Sequence, residues 1–458
     1  MSSIMREDWI ECELGEICFT TSGGTPSRNN IEFYQGSIPW VKSGELDKGI
    51  IYDTEEHISE EAIKNSSAKI FPEGTLLIAL YGATIGKLAF LGVEAATNQA
   101  ICGIFKSSAI EPKYLFNFLL NKRQKLISQG TGGAQPNISQ TILKNLSIPF
   151  APLPIQRAIV SKIEALFSDL DNGIANFKKA QEQLKVYRQA VLKKAFEGGF
   201  TSITNEENQD NHSNQKNHSS DNLPKGWKWV KISDVCDMKA GYFIKADEIN
   251  AAFENGLFPC YGGNGLRGYV KSLTHEGLFP IVGRQGALCG NVHLVNGKFH
   301  ATEHAVVVSA KKEIDIKCLY YKLTEMKLNQ YSTGTAQPGL SVNKILPIKT
   351  IFPSSIQEQT QIVQEIESRL SVCDKMEQSL TESIEKAEAL RQSILKKAFE
   401  GKLLSEAEIA QCKAAADYEP ASELLKKIQA EKLVKEQEKK KKQTVNLPAG
   451  KTGKKSKK

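Results

Sequence analysis

TGGAQPNIS at residues 131–139 and TGTAQPGLS at 333–341 are near copies of one another, and LKKAFEG at 192–198 returns unchanged at 395–401. Matches at a nearly constant spacing of about 200 residues mark an internal duplication. The period far exceeds the roughly 20–50 residues of stacked repeats, so the duplicated unit is a domain with its connecting helix rather than a solenoid turn. IQRAIVSKIE (155–164) is matched more loosely by IQEQTQIVQEIE (356–367). Upstream, WIECELGEI (9–17) resembles WVKISDV (229–235), and GATIG with TNQA (82–100) echoes GALCG with TEHA (286–305).

The better-kept part of each unit is helical. Apolar residues recur in steps of three and four at Ile163, Leu166, Leu170, Phe177, Leu184, Tyr187 and Val191. A weaker stripe follows at Ile366, Met376, Leu380, Leu390 and Ile394. That spacing is a heptad seam. Pro154 suits a first helical turn, and Gly198 and Gly401 suit helix ends. A helix over 155–197 would be roughly 65 Å long, too long to stand without a partner. The economical partner is its own copy, paired antiparallel, with a globular domain at either end and a pseudo-two-fold relating them.

The globular parts carry β-branched runs broken by glycine: TLLIALYGATIGKLAFLG (75–92) and FPIVGRQGALCGNVHLV (279–295) each read as strand, tight turn, strand. PKYLFNFLLNKRQKLI (112–127) reads as a following helix. The expected fold class is α+β: two mixed α/β domains with curled sheets, joined by two long antiparallel coiled-coil helices in a pseudo-two-fold arrangement. The expected divisions are a first domain over 1–152, a first helix over 153–200, a flexible linker over 201–222, a second domain over 223–352 and a second helix over 353–402. Residues 403–458 complete the chain as a helical stretch and a Lys-rich disordered tail, either merely solvated or attracted to phosphates.

Composition limits the function classes. No apolar run approaches a membrane span, and the acidic N-terminal stretch MSSIMREDWIECELGE does not read as a signal peptide. The nine cysteines are scattered, with no C-x-x-C, and read as reduced thiols of a cytoplasmic protein. The net charge of +7 is concentrated in the tail, where residues 431–458 hold eleven Lys and three Glu. Residues 1–150 carry 13 basic and 16 acidic groups, whereas 223–352 carry 16 and 10. There is no Asp/Asn-Pro-Pro-aromatic tetrapeptide, no phosphate loop of the G-x-x-x-x-G-K-[ST] type and no metal-ligand spacing, so catalytic and metal residues are expected to be absent.

The order of variable domain, TGxAQPxxS turn, Ile-Gln helix start and LKKAFEG helix end, repeated once, resembles the specificity subunit of type I restriction-modification systems. GGTPS (23–27) and IPWVKSGEL (38–46) also look like the first target-recognition domain of that family. The resemblance implies a non-catalytic, DNA-binding chain with two target-recognition domains and two spacer helices. Its implied partners are double-stranded DNA, two modification subunits and restriction subunits, with S-adenosylmethionine, ATP and Mg on those partners and none on this chain. A two-domain reader on a pseudo-two-fold scaffold suits a bipartite, asymmetric target.

Base edges are read by donors and acceptors on short polar turns. In the first domain the candidates are Ser22, Thr25, Arg28, Lys42, Tyr81, Lys87, Asn98 and Gln99; in the second they are Tyr242, Asn264, Arg267, Arg284, Gln285 and His304. A plain surface role competes for each of them. Trp40 and Trp229 read as core residues, and TGGAQP as a turn shaping the entry to the helix. Phe196 and Phe399 fit partner contact and end packing equally. The alternative reading of the whole chain is a duplicated coiled-coil scaffold that binds proteins only.

Overall fold

The computed structural model describes residues 6–130, 137–200, 223–286, 288–334 and 338–432. The turn TGGAQP (131–136), residues 335–337 of its second copy, the proposed linker 201–222 and the Lys-rich terminus lie outside the described residues. The chain divides into two units, Met1–Ala175 with Ile384–Lys458, and Asn176–Ser383. Both long helices, Leu153–Phe196 and Ile356–Phe399, cross that division. Each unit thus holds the beginning of one long helix and the end of the other.

Each globular part opens with a strand and a single helical turn. Ile10–Glu13 pairs antiparallel with Ser147–Phe150, and Trp227–Lys231 with Lys349–Pro353. The turns Leu14–Ile17 and Ile232–Val235 follow, and both carry the same cap. Glu16 accepts the Glu13 N–H at 2.7 Å, and Asp234 accepts the Lys231 N–H at 2.8 Å. A carboxylate at the third helical position reaching back in this way satisfies an otherwise orphaned donor. The caps align Trp9 with Trp227, both buried, and make Trp229 the counterpart of the exposed Glu11. Trp229 is 54% exposed, which corrects its expected place in a core. The string WKW offers two registers, and burial selects the one that puts Trp227 inside, with its Nε1 donating to Glu358 at 2.7 Å.

In the first unit, Leu76–Ala79 and Leu88–Leu91 form the expected antiparallel pair inside a five-stranded sheet. Its strand order is Thr20–Ser22, Ile101–Ile104, Leu76–Ala79, Leu88–Leu91, Ile50–Ile51. A four-stranded sheet runs beside it in the order His57–Ile58, Ile38–Val41, Ala95–Thr97, Ile70–Phe71. In the second unit one six-stranded sheet has the order Cys236–Ala240, Ala305–Ala310, His275–Gly283, Val292–Ala301, Phe258–Gly262, Gly265–Val270. The architecture is mixed α/β with long helices, as expected.

Helix Pro112–Gln129 buries Tyr114, Leu115, Phe118 and Leu119 in the first core. The end of the second long helix completes that core, with Phe399 edge-on to Tyr114 at 5.1 Å and to Phe118 at 5.3 Å. In the second unit Phe196 is buried, with the Lys322 ammonium 4.9 Å above its ring. Both phenylalanines of the repeated LKKAFEG segment are therefore end packing. Gly198 and Gly401 follow with φ of +84° and +71°, values that glycine adopts without a Cβ clash.

Within each unit the long helices run antiparallel. In the second, Gln181 Nε2 donates to Thr381 Oγ1 at 3.2 Å and Arg188 pairs with Asp374 at 2.7 Å, so seven residues forward on one helix is seven back on the other. In the first, Arg391 pairs with Asp171, and Ile155, Ile159 and Ile163 share a core with Ile394, Leu395 and Ala398. Exposed ion pairs are worth about 1 kcal/mol or less, so the apolar stripe carries the association. Of that stripe, Ile163, Leu184, Val191, Ile366 and Ile394 are buried, and Leu166, Leu170, Phe177 and Leu380 half-buried. Tyr187, Met376 and Leu390 are exposed.

One buried glutamine ties each helix start to the globular part that precedes it. Gln156 accepts the Glu111 N–H at 2.8 Å and donates to the carbonyls of Ala109 and Ala151 at 3.1 and 2.7 Å. Gln359 repeats the pattern with the Asp315 N–H at 2.7 Å and the carbonyls of Glu313 and Pro353 at 3.3 and 3.1 Å. The counterpart of Gln156 is thus Gln359, whereas the two Ile-Gln pairs in the sequence suggest Gln357, which is exposed. Leucine at 156 or 359 strands a buried N–H and two carbonyls, and should cost about 2–3 kcal/mol in urea unfolding. Gln357→Leu should change the same transition little.

Candidate nucleic-acid interface

The glycine-flanked loops of each unit meet at one end of its sheet through matching hydrogen bonds. In the first, Leu80 N–H donates to Ala100 O at 2.8 Å while Ile138 N–H donates to Leu80 O at 2.8 Å. In the second, Arg284 N–H donates to His304 O at 2.9 Å and Leu340 N–H donates to Arg284 O at 2.8 Å. A further pair holds the loop after the first strand of each larger sheet: Gly24 N–H to Thr97 O at 2.9 Å, and Tyr242 N–H to Ala301 O at 2.8 Å. One backbone frame is therefore built twice, and the side chains upon it differ.

In the first unit this frame gathers Ser22, Thr25, Tyr81, Asn98 and Gln99. Thr25 donates to Gln99, Asn98 Oδ1 accepts the Ala100 N–H at 3.2 Å, and Ser22 Oγ accepts from Gln140 at 2.6 Å. Tyr81 is 43% exposed. The cations here are already matched with carboxylates. Arg28 pairs with Glu56 at 2.6 Å and lies over the rings of Tyr34 and Trp40 at 4.2 and 5.2 Å. Lys42 reaches Glu55 and Glu56 at 2.9 and 3.1 Å, and Lys87 pairs with Asp47. Hydrogen bonds from Arg28 and Lys42 hold the Glu56 carboxyl below the usual carboxylate range. Trp40 is buried as expected, its Nε1 donating to Gly24 O at 3.1 Å.

The second unit gathers its candidates more tightly. Asn264, Arg267, Gln285 and His304 line a recess of about 290 Å³ with Gly263 and Gly286. Arg284 and Tyr242 flank it through the backbone bonds above, and Tyr242 is 62% exposed. Among the described residues Arg267 and Arg284 make no ion pair, and His304 meets Glu303 at 3.1 Å. The result is an open set of donors: two guanidiniums, two amides and an imidazole, the groups that bond phosphate oxygens and purine edges. Gln140, which orients Ser22, and Phe243, which is 73% exposed beside Tyr242, were not singled out in the sequence. The contact of Gln140 spans 118 residues and leaves no local signal, whereas Phe243 stands in a visible Gly-Tyr-Phe run.

Burial pushes the thiols of Cys12, Cys18, Cys102 and Cys236 up to about 12, which keeps them protonated. Among the described residues no group of His, Cys, Asp and Glu is arranged to hold a metal ion, and no helix is long and apolar enough to cross a membrane.

Residues 6–179 and 224–386 match the family described as type I restriction modification DNA specificity domain. The chain belongs to that family. It is 32% identical over 409 residues to the specificity subunit of the type I restriction enzyme EcoprrI of Escherichia coli, covering 84% of this chain and 92% of the relative. The specificity subunit of the type I restriction enzyme MjaIX of Methanocaldococcus jannaschii is 27% identical over 76% of this chain and 83% of its own length. A chain solved in a study of complex assembly and conformational transition of the type I R-M system shares the fold, with a TM-score of 0.67 at 20% identity over 87% of this chain and 99% of that one. As a specificity subunit the protein is the non-catalytic component of its enzyme, and catalysis lies in other subunits.

Glycines at the frame separate stability from side-chain placement in this specificity subunit. A Cβ on Gly24 would lie 2.3 Å from the Ser67 carbonyl carbon, so Gly24→Ala should lower the stability of the first unit by about 1–3 kcal/mol in thermal or urea unfolding. A Cβ on Gly262 meets the flexible Arg267 side chain, at 2.5 Å from its Cδ. Gly262→Ala should therefore leave the unfolding midpoint nearly unchanged while displacing the Arg267 guanidinium, visible as a changed recess in a crystal structure of the variant.

Proposed function

We propose that this specificity subunit reads a bipartite, asymmetric duplex target, one half-site with residues 1–152 and the other with residues 223–352, separated by bases that it does not read. The observation that carries the reading is the doubled backbone frame bearing unlike side chains. Leu80, Tyr81 and Ala100 stand in the first copy where Arg284, Gln285 and His304 stand in the second. A shared frame gives both modules one way of meeting a groove, and unlike side chains give them different bases to prefer. The candidate DNA contacts are Ser22, Thr25, Arg28, Lys42, Tyr81, Lys87, Asn98 and Gln99 in the first, and Tyr242, Asn264, Arg267, Arg284, Gln285 and His304 in the second.

The spacer helices, 153–200 and 353–402, dock two modification subunits, and the assembly also engages restriction subunits. Those partners bring S-adenosylmethionine, ATP and Mg for methyl transfer and cleavage in the cytoplasm. A groove of about 580 Å³ on the helix pair of the second unit supports docking: Leu184, Tyr187, Val372, Cys373, Met376 and Leu380 line it, three of them exposed. Exposed apolar surface of this kind on a helix pair marks a contact for another helix.

Adenine methylation mapped across a genome with and without this chain should lose one split motif when the chain is removed. Replacing residues 223–352 by the same segment of another family member should change one half of the motif and leave the other. A change in both halves, or no lost motif, would defeat the reading. Arg267→Ala and Arg284→Ala should each weaken retention of the cognate duplex, and each should reduce the slope of log affinity against log salt by about 0.9 if the arginine neutralises one phosphate.

A further inference from the structure

We propose that Phe243 is an apolar wedge that enters the base stack of duplex DNA at the half-site of the second module, and that the first module carries no ring at the matching position. The inference rests on the reading of these loops as a nucleic-acid interface and adds to it a deformation of the DNA confined to one half-site.

Phe243 is the most exposed large apolar residue among those described, at 73%, and makes no ring contact with them. Its exposure does not come from a slack backbone. On one side Tyr242 is held at both ends, its N–H donating to Ala301 O at 2.8 Å and its carbonyl 3.4 Å from Nε2 of the buried His300. His300 is itself fixed by Ser272 at 2.8 Å. On the other side Ile244 is 8% exposed and packs in a small core with Cys260 and Val270. A ring projected into water from a segment anchored on both flanks is preorganised for a partner, because ordering it on binding costs little further entropy.

A single exposed phenylalanine is ordinary on a protein surface, so its surroundings decide the partner. Tyr242 and Lys245 are exposed next to it, and the frame that holds Tyr242 also carries the recess of Arg267, Gln285 and His304. Two guanidiniums that make no ion pair among the described residues complement a phosphate backbone, and a base step offers the apolar slot that an aromatic ring fills. The internal copy supplies a contrast. Gly24 N–H to Thr97 O in the first module takes the place of Tyr242 N–H to Ala301 O in the second, so Thr25 stands where Phe243 stands. Thr25 is polar and is bonded to Gln99. One module therefore touches DNA at this position through a hydroxyl and the other through a ring, and wedged rings kink the duplex by unstacking a step.

The test uses the full chain assembled with its modification subunits on the cognate duplex found by methylation mapping, labelled at its ends for energy transfer. Phe243→Ala should bind roughly tenfold to a hundredfold more weakly and give a straighter duplex. Phe243→Leu should restore most of the bend, and Phe243→Trp should bind with its emission quenched by the cognate duplex. An unchanged affinity and bend in Phe243→Ala, together with unquenched Phe243→Trp, would overturn the wedge while leaving the interface reading intact. Loss of modification subunits from Phe243→Ala with unaltered DNA retention would overturn it in favour of a protein contact. A wild-type complex that prefers no duplex removes the interface reading itself, and the wedge with it. Since the ring is in solvent, circular dichroism of all three variants should match the wild type.

Discussion

Each globular core in this specificity subunit is closed by a helix end that belongs to the other copy of the repeat. Phe399 fills the space beside Tyr114 and Phe118 in the first unit, and Phe196, Ala195 and Leu192 do the same in the second. A buried phenylalanine is worth on the order of 1.5–3 kcal/mol through burial alone, and these stand among several buried neighbours. Neither copy is therefore a self-sufficient domain, since its sheet and short helix leave an apolar face that the distant helix end helps to cover. The buried glutamines fix the start of each helix by three hydrogen bonds each, to the turn before the short helix and to the end of the strand that leads into the long one. Entry and exit are fastened at one place, and so the antiparallel course of the helices in each unit follows from local packing rather than from surface ion pairs.

That constraint explains what was legible in the sequence. LKKAFEG returns unchanged because both copies present the same residues to equivalent core sites, and the glycine turns return because positive φ at Gly82, Gly86, Gly286 and Gly290 demands them. The strand pairs at 76–91 and 275–301 were readable from β-branched runs around those glycines. Where local likeness and burial conflict, the sequence misleads. Trp-Val at 229–230 resembles Trp-Ile at 9–10 more than Trp227-Lys228 does, yet the core takes Trp227. Ile-Gln at 356–357 resembles Ile-Gln at 155–156, yet the buried latch is Gln359.

The candidate site was legible in its loops and not in its charges. Polar residues beside glycines could be named from the sequence, and the frame gathers most of them. Which cations are neutralised could not be foreseen, because Arg28–Glu56 and Lys87–Asp47 join residues 28 and 40 positions apart. A count of charges nevertheless anticipated the outcome in bulk: residues 1–150 are net acidic and 223–352 net basic. The structure gives that difference a mechanism, with carboxylates built against the cations of one module while Arg267 and Arg284 of the other make no ion pair among the described residues.

If the two modules read two half-sites as proposed, one frame with opposite electrostatics divides the work of recognition unequally between them. In the second, unneutralised guanidiniums offer salt-sensitive attraction to any phosphate backbone, so affinity there is available before bases are matched. In the first, a cation must exchange Glu56, Glu55 or Asp47 for phosphate, and the exchange returns little net free energy unless the neighbouring donors also find their base edges. Contacts made through such exchanges favour the correct sequence over an incorrect one more than they favour DNA over water. On the proposed reading of two half-sites the weaker-binding module is thereby the stricter reader, and the pairing of a retentive module with a discriminating one follows from where the carboxylates stand.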